Sequence, residues 1–460
     1  MILNKILKNF CNKNYISIKN KIEKLPQISV SPDDYTILEQ PTLFKKRVLE
    51  LILSSKKRIC ISALYLQNDE FGNEFIKAIY SAMRANPKLH VRIYVDFHRA
   101  QRGLHGVENQ IVNTDWYYSL CKENDKNPSI YGVPVKKREI FGVLHLKGFV
   151  FDDTVLYSGA SINNVYFNHL ENYRIDRYHE ILSPELADCM CNYCTEAFHQ
   201  SNAVQDITTN SIPSAKEISA EIKKNRKILC NCKYKFISQK IQNNSVGLTP
   251  LVGLGGNNNK LNQTILNLID CANKEIFICT PYFNLPAPVL KKIRNALKRN
   301  IQITIIIGDK TANDFYIRDK SKFNKVGAIP YIYEMNLKDF IESNSRYLKS
   351  GQLQVNLWKN ENNTYHVKGL MIDNKYHLIT GNNINPRAWA LDLENGILIH
   401  DKNMLLLEKF SHEKLFLLRH TTRINNAGQL DCFNDYPEEV KKLILKVKKF
   451  GAQWLLRKLL

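Results

Sequence analysis

The chain lacks any run of about 18 apolar residues, so no membrane-spanning helix is expected. Its first residues, "MILNKILKNFCNKNYISIKNK", are basic, but their apolar runs are too short for a signal-peptide core. Acidic side chains are in deficit: 44 Asp and Glu stand against 65 Lys and Arg, a formal net charge of +21. That imbalance points to polyanionic partners: nucleic acid or the ribosome, an anionic membrane surface, or phosphate-bearing substrates. Of the 11 cysteines, Cys189, Cys191 and Cys194, with Cys230 and Cys232, come nearest to ligand spacing. Paired C-x2-C knuckles are missing, so scattered reduced thiols are expected rather than a zinc site. A cytoplasmic or peripheral protein follows, with no metal and no cofactor.

What is present can fill large cores. With 460 residues, 44% of them hydrophobic, the chain exceeds what one core organises, and two lobes are expected. The two halves repeat each other. "LFKKRVLELILSSKKRICISALYLQND" and then "LHVRIYVDFHRAQRG" in the first half answer "NKLNQTILNLIDCANKEIFICTPYFNLP" and "IQITIIIGDKTANDF" in the second. Each reads helix, strand, helix, strand, which argues for an α/β fold with helices covering sheets that contain parallel strands. The expected divisions are an extension over 1–27, lobes over 28–200 and 249–425, a polar helical connector over 201–248 and a tail over 426–460.

A second repeat carries the chemistry. "VLHLKGFVFDDTVLYSGASINN" (143–164) and "TYHVKGLMIDNKYHLITGNNINPRAW" (364–389) share His-x-Lys-Gly, an apolar strand, Asp, a returning strand, Gly and Ile-Asn. His145 and Lys147, like His366 and Lys368, lie two apart on an extended chain and so share a face. One such pair would be a satisfied histidine beside a snorkelling lysine. Two copies at equivalent places point instead to one cleft shared by two lobes.

There, two lysines can neutralise the nonbridging oxygens of a phosphate, one imidazole can attack phosphorus, and the other can shuttle the proton. Each imidazole needs a carboxylate to fix its tautomer. Downstream of the two copies, Asp176, with Glu180 as its competitor, and Glu394 are the candidates. Asp152 and Asp373 complete the two sets as turn residues.

His-x-Lys-x4-Asp, twice in one chain, resembles the phospholipase D superfamily. The resemblance implies two α/β/α lobes with pseudo-twofold symmetry, one active site between them, and phosphodiester chemistry through a phosphohistidine. It implies His145 as nucleophile and His366 as general acid and base. The family's Gly-Ser-x-Asn element survives as Ser161 and Asn163 in the first copy. Asn383 replaces the serine in the second, and Asn385 remains.

Longer stretches, among them "DFHRAQRG", "TPYFNLP", "GDKTANDFYI" and "ITGNNINPRAWALDLEN", narrow the likeness from about residue 28 onward. They resemble members that transfer a phosphatidyl group from CDP-diacylglycerol to L-serine and release CMP. Arg99, Arg102, Lys310, Asn313 and Arg387, after strand ends, are candidate substrate contacts. Other members of the superfamily (cardiolipin synthase-like enzymes, phospholipases, nucleases) and a non-catalytic basic binding protein are the alternatives.

A lipid substrate asks for membrane contact. Val440, Leu443, Ile444, Val447, Phe450, Trp454, Leu455 and Leu459 recur at helical spacing amid Lys441, Lys442, Lys446, Lys448, Lys449 and Arg457. Such a basic amphipathic helix is expected to bind an anionic membrane, here the inner face of the cell membrane. Ile2, Leu3, Ile6, Leu7 and Phe10, opposed by Lys5 and Lys8, repeat the device more weakly.

Overall fold

Strand, helix and strand in succession build a parallel pair at the centre of each lobe. Arg58–Ser62 pairs in parallel with His90–Asp96, and Glu275–Thr280 with Gln302–Gly308. The crossover helix Glu70–Ala85 buries Phe71, Phe75, Ile76, Ile79 and Met83, an apolar stripe at helical spacing. Asp69 caps it by accepting from the Gly72 N–H. The structure is a computed structural model that describes residues 17–103, 111–319 and 323–449.

The first sheet has eight strands, in the order Gln205–Asp206, Ser129–Val133, His90–Asp96, Arg58–Ser62, Gly148–Phe151, Thr154–Ser158, Tyr178–Leu182 and Tyr35–Leu38. The second has nine. From one edge they are Ile28–Val30, Val246–Leu254, Leu393–His400, Tyr376–Thr380 and Gly369–Ile372. Glu275–Thr280, Gln302–Gly308, Leu353–Trp358 and Thr421–Ile424 follow. Each lobe has its own apolar core, and a third draws Leu146, Tyr157 and Met190 together with Phe277, Val367 and Ile397 across the junction.

Three expected boundaries shift. Ile28–Val30 pairs with Val246–Leu254 and so belongs to the second sheet, not to the first lobe. Three residues are too short to carry a periodic signature, and only the backbone partner assigns them. The connector adds an edge strand, Gln205–Asp206, to the first sheet and contains the helix Ser219–Asn231. Its last residues, from Val246, are already strand.

The tail departs further from expectation. In the helix Glu438–Lys449, Val440 and Ile444 are buried, packed with Leu443 against Ala328, Tyr331 and Tyr436. The apolar stripe there is spent on the protein body, leaving Leu445, Lys442 and Lys446 exposed. No helix among the described residues is long and apolar enough to cross a membrane. Ile2 to Phe10, Phe450, Trp454, Leu455, Arg457 and Leu459 lie outside the described residues.

Candidate active site

The two His-Lys segments are held mainly by the opposite lobe. The His145 N–H donates to the Leu393 carbonyl, and the His366 N–H to the Ile175 carbonyl, both at 2.9 Å. The residues after those carbonyls are Glu394 and Asp176. Each lobe therefore fixes the other's histidine and delivers its acid in the same stroke. The Asn395 side chain takes the Lys147 N–H at 2.9 Å and returns a bond to its carbonyl at 2.8 Å. Just upstream, Asp392 accepts from the Val143 N–H and Asp96 from the Leu144 N–H, each at 2.9 Å.

The glycine of His-x-Lys-Gly has a structural cause. Gly148 and Gly369 both sit at φ 141°, a conformation unfavourable for side-chain-bearing residues. A Cβ on Gly369 would meet Arg177 Nη1 and the Leu378 carbonyl at 2.4 and 2.5 Å.

The four side chains converge with their acids in a buried cluster. His145 Nδ1 lies 2.9 Å from Glu394 Oε2, and Lys147 Nζ donates to Ser161 Oγ at 3.0 Å. Lys368 Nζ donates to Asp176 Oδ2 at 2.7 Å and also touches His366 Nδ1. His366 Nδ1 is 2.9 Å from the Tyr166 hydroxyl and 3.5 Å from Asp176 Oδ2. The candidate orienting acids thus cross lobes: Glu394 addresses the first histidine directly, whereas Asp176 holds Lys368 and stands 3.5 Å from the second.

Burial sets the electrostatics. It pushes Lys147 down to about 7, with Lys368 adding to the effect, and it lowers Lys368 against the pull of Asp176. Both imidazoles fall well below their ordinary range, through burial first and the neighbouring lysines next. Burial also lifts the Glu394 carboxyl. Two ammonium groups this close and this dry gain most from an anion placed between them.

Asp152 and Asp373 do not join the cluster. Each occupies the hairpin turn at the far end of its strand, with φ of 50° and 53°. Five residues beyond its lysine, each is roughly 16 Å away at about 3.3 Å rise per residue. Asp152 accepts from the N–H groups of Lys56, Lys57 and Arg58 at 2.7 to 2.9 Å. Asp373 does the same for Asn273, Lys274 and Glu275 at 2.7 to 2.8 Å. Their work is to pin the entry to the neighbouring strand, which corrects their expected place among the catalytic groups.

The remaining candidates divide. Asn163 donates to the Tyr65 hydroxyl at 3.3 Å and accepts from the Tyr166 N–H at 3.2 Å. Asn385 caps the helix Pro386–Ala390, and the half-buried Asn383 has an Oδ1 that accepts no hydrogen bond from the described residues. Arg99 and Arg102 share Glu139 at 3.4 and 2.8 Å. Arg387 pairs with Asp392 at 3.0 Å and reaches into the first lobe to the Glu139 carbonyl at 2.7 Å. Lys310 is held by Glu334 at 3.0 Å and by Asp431, beneath the rings of Tyr331 and Tyr436. Asn313 is buried beside it, accepting from the Phe315 N–H at 2.9 Å.

Residues 265–415, most of the second lobe, match the family model described as the cardiolipin synthase, PLD-like domain. Over 440 residues the chain is 43% identical to the CDP-diacylglycerol–serine O-phosphatidyltransferase of Escherichia coli, covering 95% of this chain and 97% of that protein. The chain belongs to that family, within the phospholipase D superfamily. The Haemophilus influenzae protein of the same name is 43% identical over 96% of this chain and 98% of its own length. The crystal structure of a phosphatidylserine synthase from H. influenzae superposes with a TM-score of 0.93 at 42% identity, covering 96% of this chain and 99% of that one.

Several groups around the family's cluster escaped the sequence reading. Tyr166 and Asn395 contact the two His-Lys segments directly, and Asp96 and Asp392 hold the backbone leading to His145. Arg174 and Asp314, 3.4 Å apart, flank His366 through two tyrosines. Arg174 lies over the Tyr166 ring, and Asp314 accepts from the Tyr282 hydroxyl at 2.6 Å. The repeat held one clue: residues two before each acid, Arg174 and Asp392, carry opposite charges.

Proposed function

We propose that the chain transfers the phosphatidyl group of CDP-diacylglycerol to L-serine and releases CMP. The observation that carries the mechanism is the convergence of His145, Lys147, His366 and Lys368 in one buried cluster contributed by two lobes. The family supplies the substrates: the relatives' names state CDP-diacylglycerol and serine.

The two histidines meet different neighbours, and this sets their roles. His145 Nδ1 faces the acceptor Glu394, so its proton sits on Nδ1 and the Nε2 lone pair is left to attack phosphorus. His366 Nδ1 faces two donors, the Tyr166 hydroxyl and the Lys368 ammonium, so its proton sits on Nε2. In the first half-reaction a phosphatidyl–His145 bond forms and the bond to CMP breaks. His366 Nε2–H protonates the leaving oxygen while Lys368 passes a proton to Nδ1. The imidazole is left with a lone pair on Nε2, poised to take the proton of the serine hydroxyl as that oxygen attacks phosphatidyl-His145. Nδ1 then returns its proton to Lys368, and phosphatidylserine departs.

Lys147 and Lys368 lie where they can offset the phosphate charge, which is most of what phosphoryl transfer asks of a protein. Attachment to an anionic membrane face is supported by the +21 charge and the exposed Lys442 and Lys446. The test of the activity is CMP release from CDP-diacylglycerol in detergent and chelator, with and without L-serine. Phosphatidylserine is the expected product. Water or glycerol serving as good acceptor while serine does not would sink the assignment.

A further inference from the structure

The acceptor has to approach His366, and the charged groups flanking that imidazole differ in kind from those flanking His145. On the His145 side, Arg99, Arg102 and Arg387 stand with the carboxylates Glu139 and Asp392 and the buried Asp96. On the His366 side, beyond Lys368 and Asp176, the described residues place the pair Arg174 and Asp314. Their N–O separation of 3.4 Å is longer than a tight charge-assisted bond, about 2.7–2.9 Å. Both side chains keep some exposure, 17% and 16%, in a region where the catalytic lysines have almost none.

Neutral groups already hold both ends. Arg174 Nε donates to Thr364 Oγ1 at 3.2 Å, and Tyr282 anchors Asp314 at 2.6 Å. The Tyr282 ring is centred 5.9 Å, and the Tyr166 ring 5.7 Å, from the His366 imidazole. An opposite-charge pair, braced from behind and set one ring away from the general base, matches a small zwitterion whose hydroxyl must reach that base.

We propose that Arg174 and Asp314 form the subsite for the amino-acid head of the acceptor: its carboxylate on the Arg174 guanidinium and its ammonium on the Asp314 carboxylate. This rests on the reading of the site as a serine phosphatidyltransferase. A guanidinium suits a carboxylate better than an ammonium would, because two parallel N–H groups match two oxygens. Binding exchanges one loose internal ion pair for two charge-assisted contacts, and an acceptor lacking either charge leaves one partner without its match. The donor's pyrophosphate, wholly negative, is steered to the arginine-rich side by the same carboxylate.

The test compares acceptors within one protein preparation, so the fraction of folded protein cancels. The probes are L-serine, ethanolamine (no carboxylate) and 3-hydroxypropanoate (no ammonium), each with CDP-diacylglycerol in detergent. Arg174→Gln is expected to lower the kcat/KM ratio of serine to ethanolamine by about tenfold or more, the worth of one charge-assisted contact. Arg174→Lys should fall between the wild type and Arg174→Gln. Asp314→Asn is expected to lower the ratio of serine to 3-hydroxypropanoate similarly. Ratios that stay within about twofold of wild type in Arg174→Gln and Asp314→Asn, while phosphatidylserine is still made, would overturn the subsite and leave the function standing. A wild-type protein that makes no phosphatidylserine would overturn both.

Discussion

The two halves of the site share a backbone plan but differ in what surrounds the imidazole. In both, a histidine N–H reaches a carbonyl of the opposite lobe, and the residue after that carbonyl is an acid. Among the described residues Glu394 alone addresses His145 Nδ1, whereas Tyr166, Lys368 and Asp176 crowd His366 Nδ1. Duplication thus delivers two equivalent frames. Divergence of a few side chains gives the two imidazoles different partners, and the proposed roles of nucleophile and proton shuttle rest on that difference.

Replacing the histidines should break the comparison most severely. His145→Ala is expected to lose on the order of 10⁴-fold or more in turnover and to give no covalent species after quench in neutral detergent, where a phosphohistidine survives. His366→Ala should lose about 10²–10⁴-fold, the span of general acid–base catalysis. It should still accumulate phosphatidyl–protein, since a phosphate leaving group needs little protonation. A trapped adduct in His145→Ala, or its absence in His366→Ala, would reverse or dissolve the assignment.

The lysines sharpen it next. Arginine keeps the charge but cannot give up a proton at working pH. Lys368→Arg should therefore cost about 10²-fold, and Lys147→Arg about tenfold, because only Lys368 is asked to relay. Equal losses in steady-state kcat would remove the relay. The same pair predicts a pH dependence. Burial, with Lys368 beside it, pushes Lys147 down to about 7, so in the free protein it loses its charge as pH rises through that value. kcat/KM for CDP-diacylglycerol should fall above pH 7, and Lys147→Arg should abolish that limb. Stability moves the opposite way. From about pH 7 toward 10.5 the unfolded chain holds the proton that the folded one has released, so this residue makes the fold more stable as pH rises.

How much of this was readable in the sequence depends on whether a feature is local or crosses the lobes. The His-Lys pairs were legible because the repeat supplied a second copy of an odd local pattern, and the α/β lobes because apolar strands and helices alternate. The crossing of Glu394 and Asp176 was not, since order along a chain does not say which loop passes over which cleft. Tyr166, Arg174 and Asp314 were hidden for the same reason. Asp152 and Asp373 were legible as turn residues, while their regular spacing also grouped them with the catalytic sets; what they share is the turn. The tail's apolar stripe reads as a membrane face, whereas Val440 and Ile444 pack on the protein body, and nothing within the helix distinguishes Tyr331 and Tyr436 from lipid.

The smallest expected effect concerns those two turns, where the lobes ought not to differ at all. Asp152 and Asp373 each collect three backbone N–H groups, and two of the three lie at exposed positions in each case. Water can replace much of what is lost there, so Asp152→Ala and Asp373→Ala should each cost about 1–3 kcal/mol of stability. In a chain of this size that lowers Tm by a few degrees. Activity per folded molecule should stay near wild type in both, because the strand between each turn and its lysine is held by neighbouring strands on either side. A loss of turnover in Asp373→Ala but not in Asp152→Ala, at matched Tm, would mean that the second turn positions Lys368 through Gly369 in a way the first does not for Lys147. The divergence of the two halves would then begin in the scaffold rather than at the imidazoles.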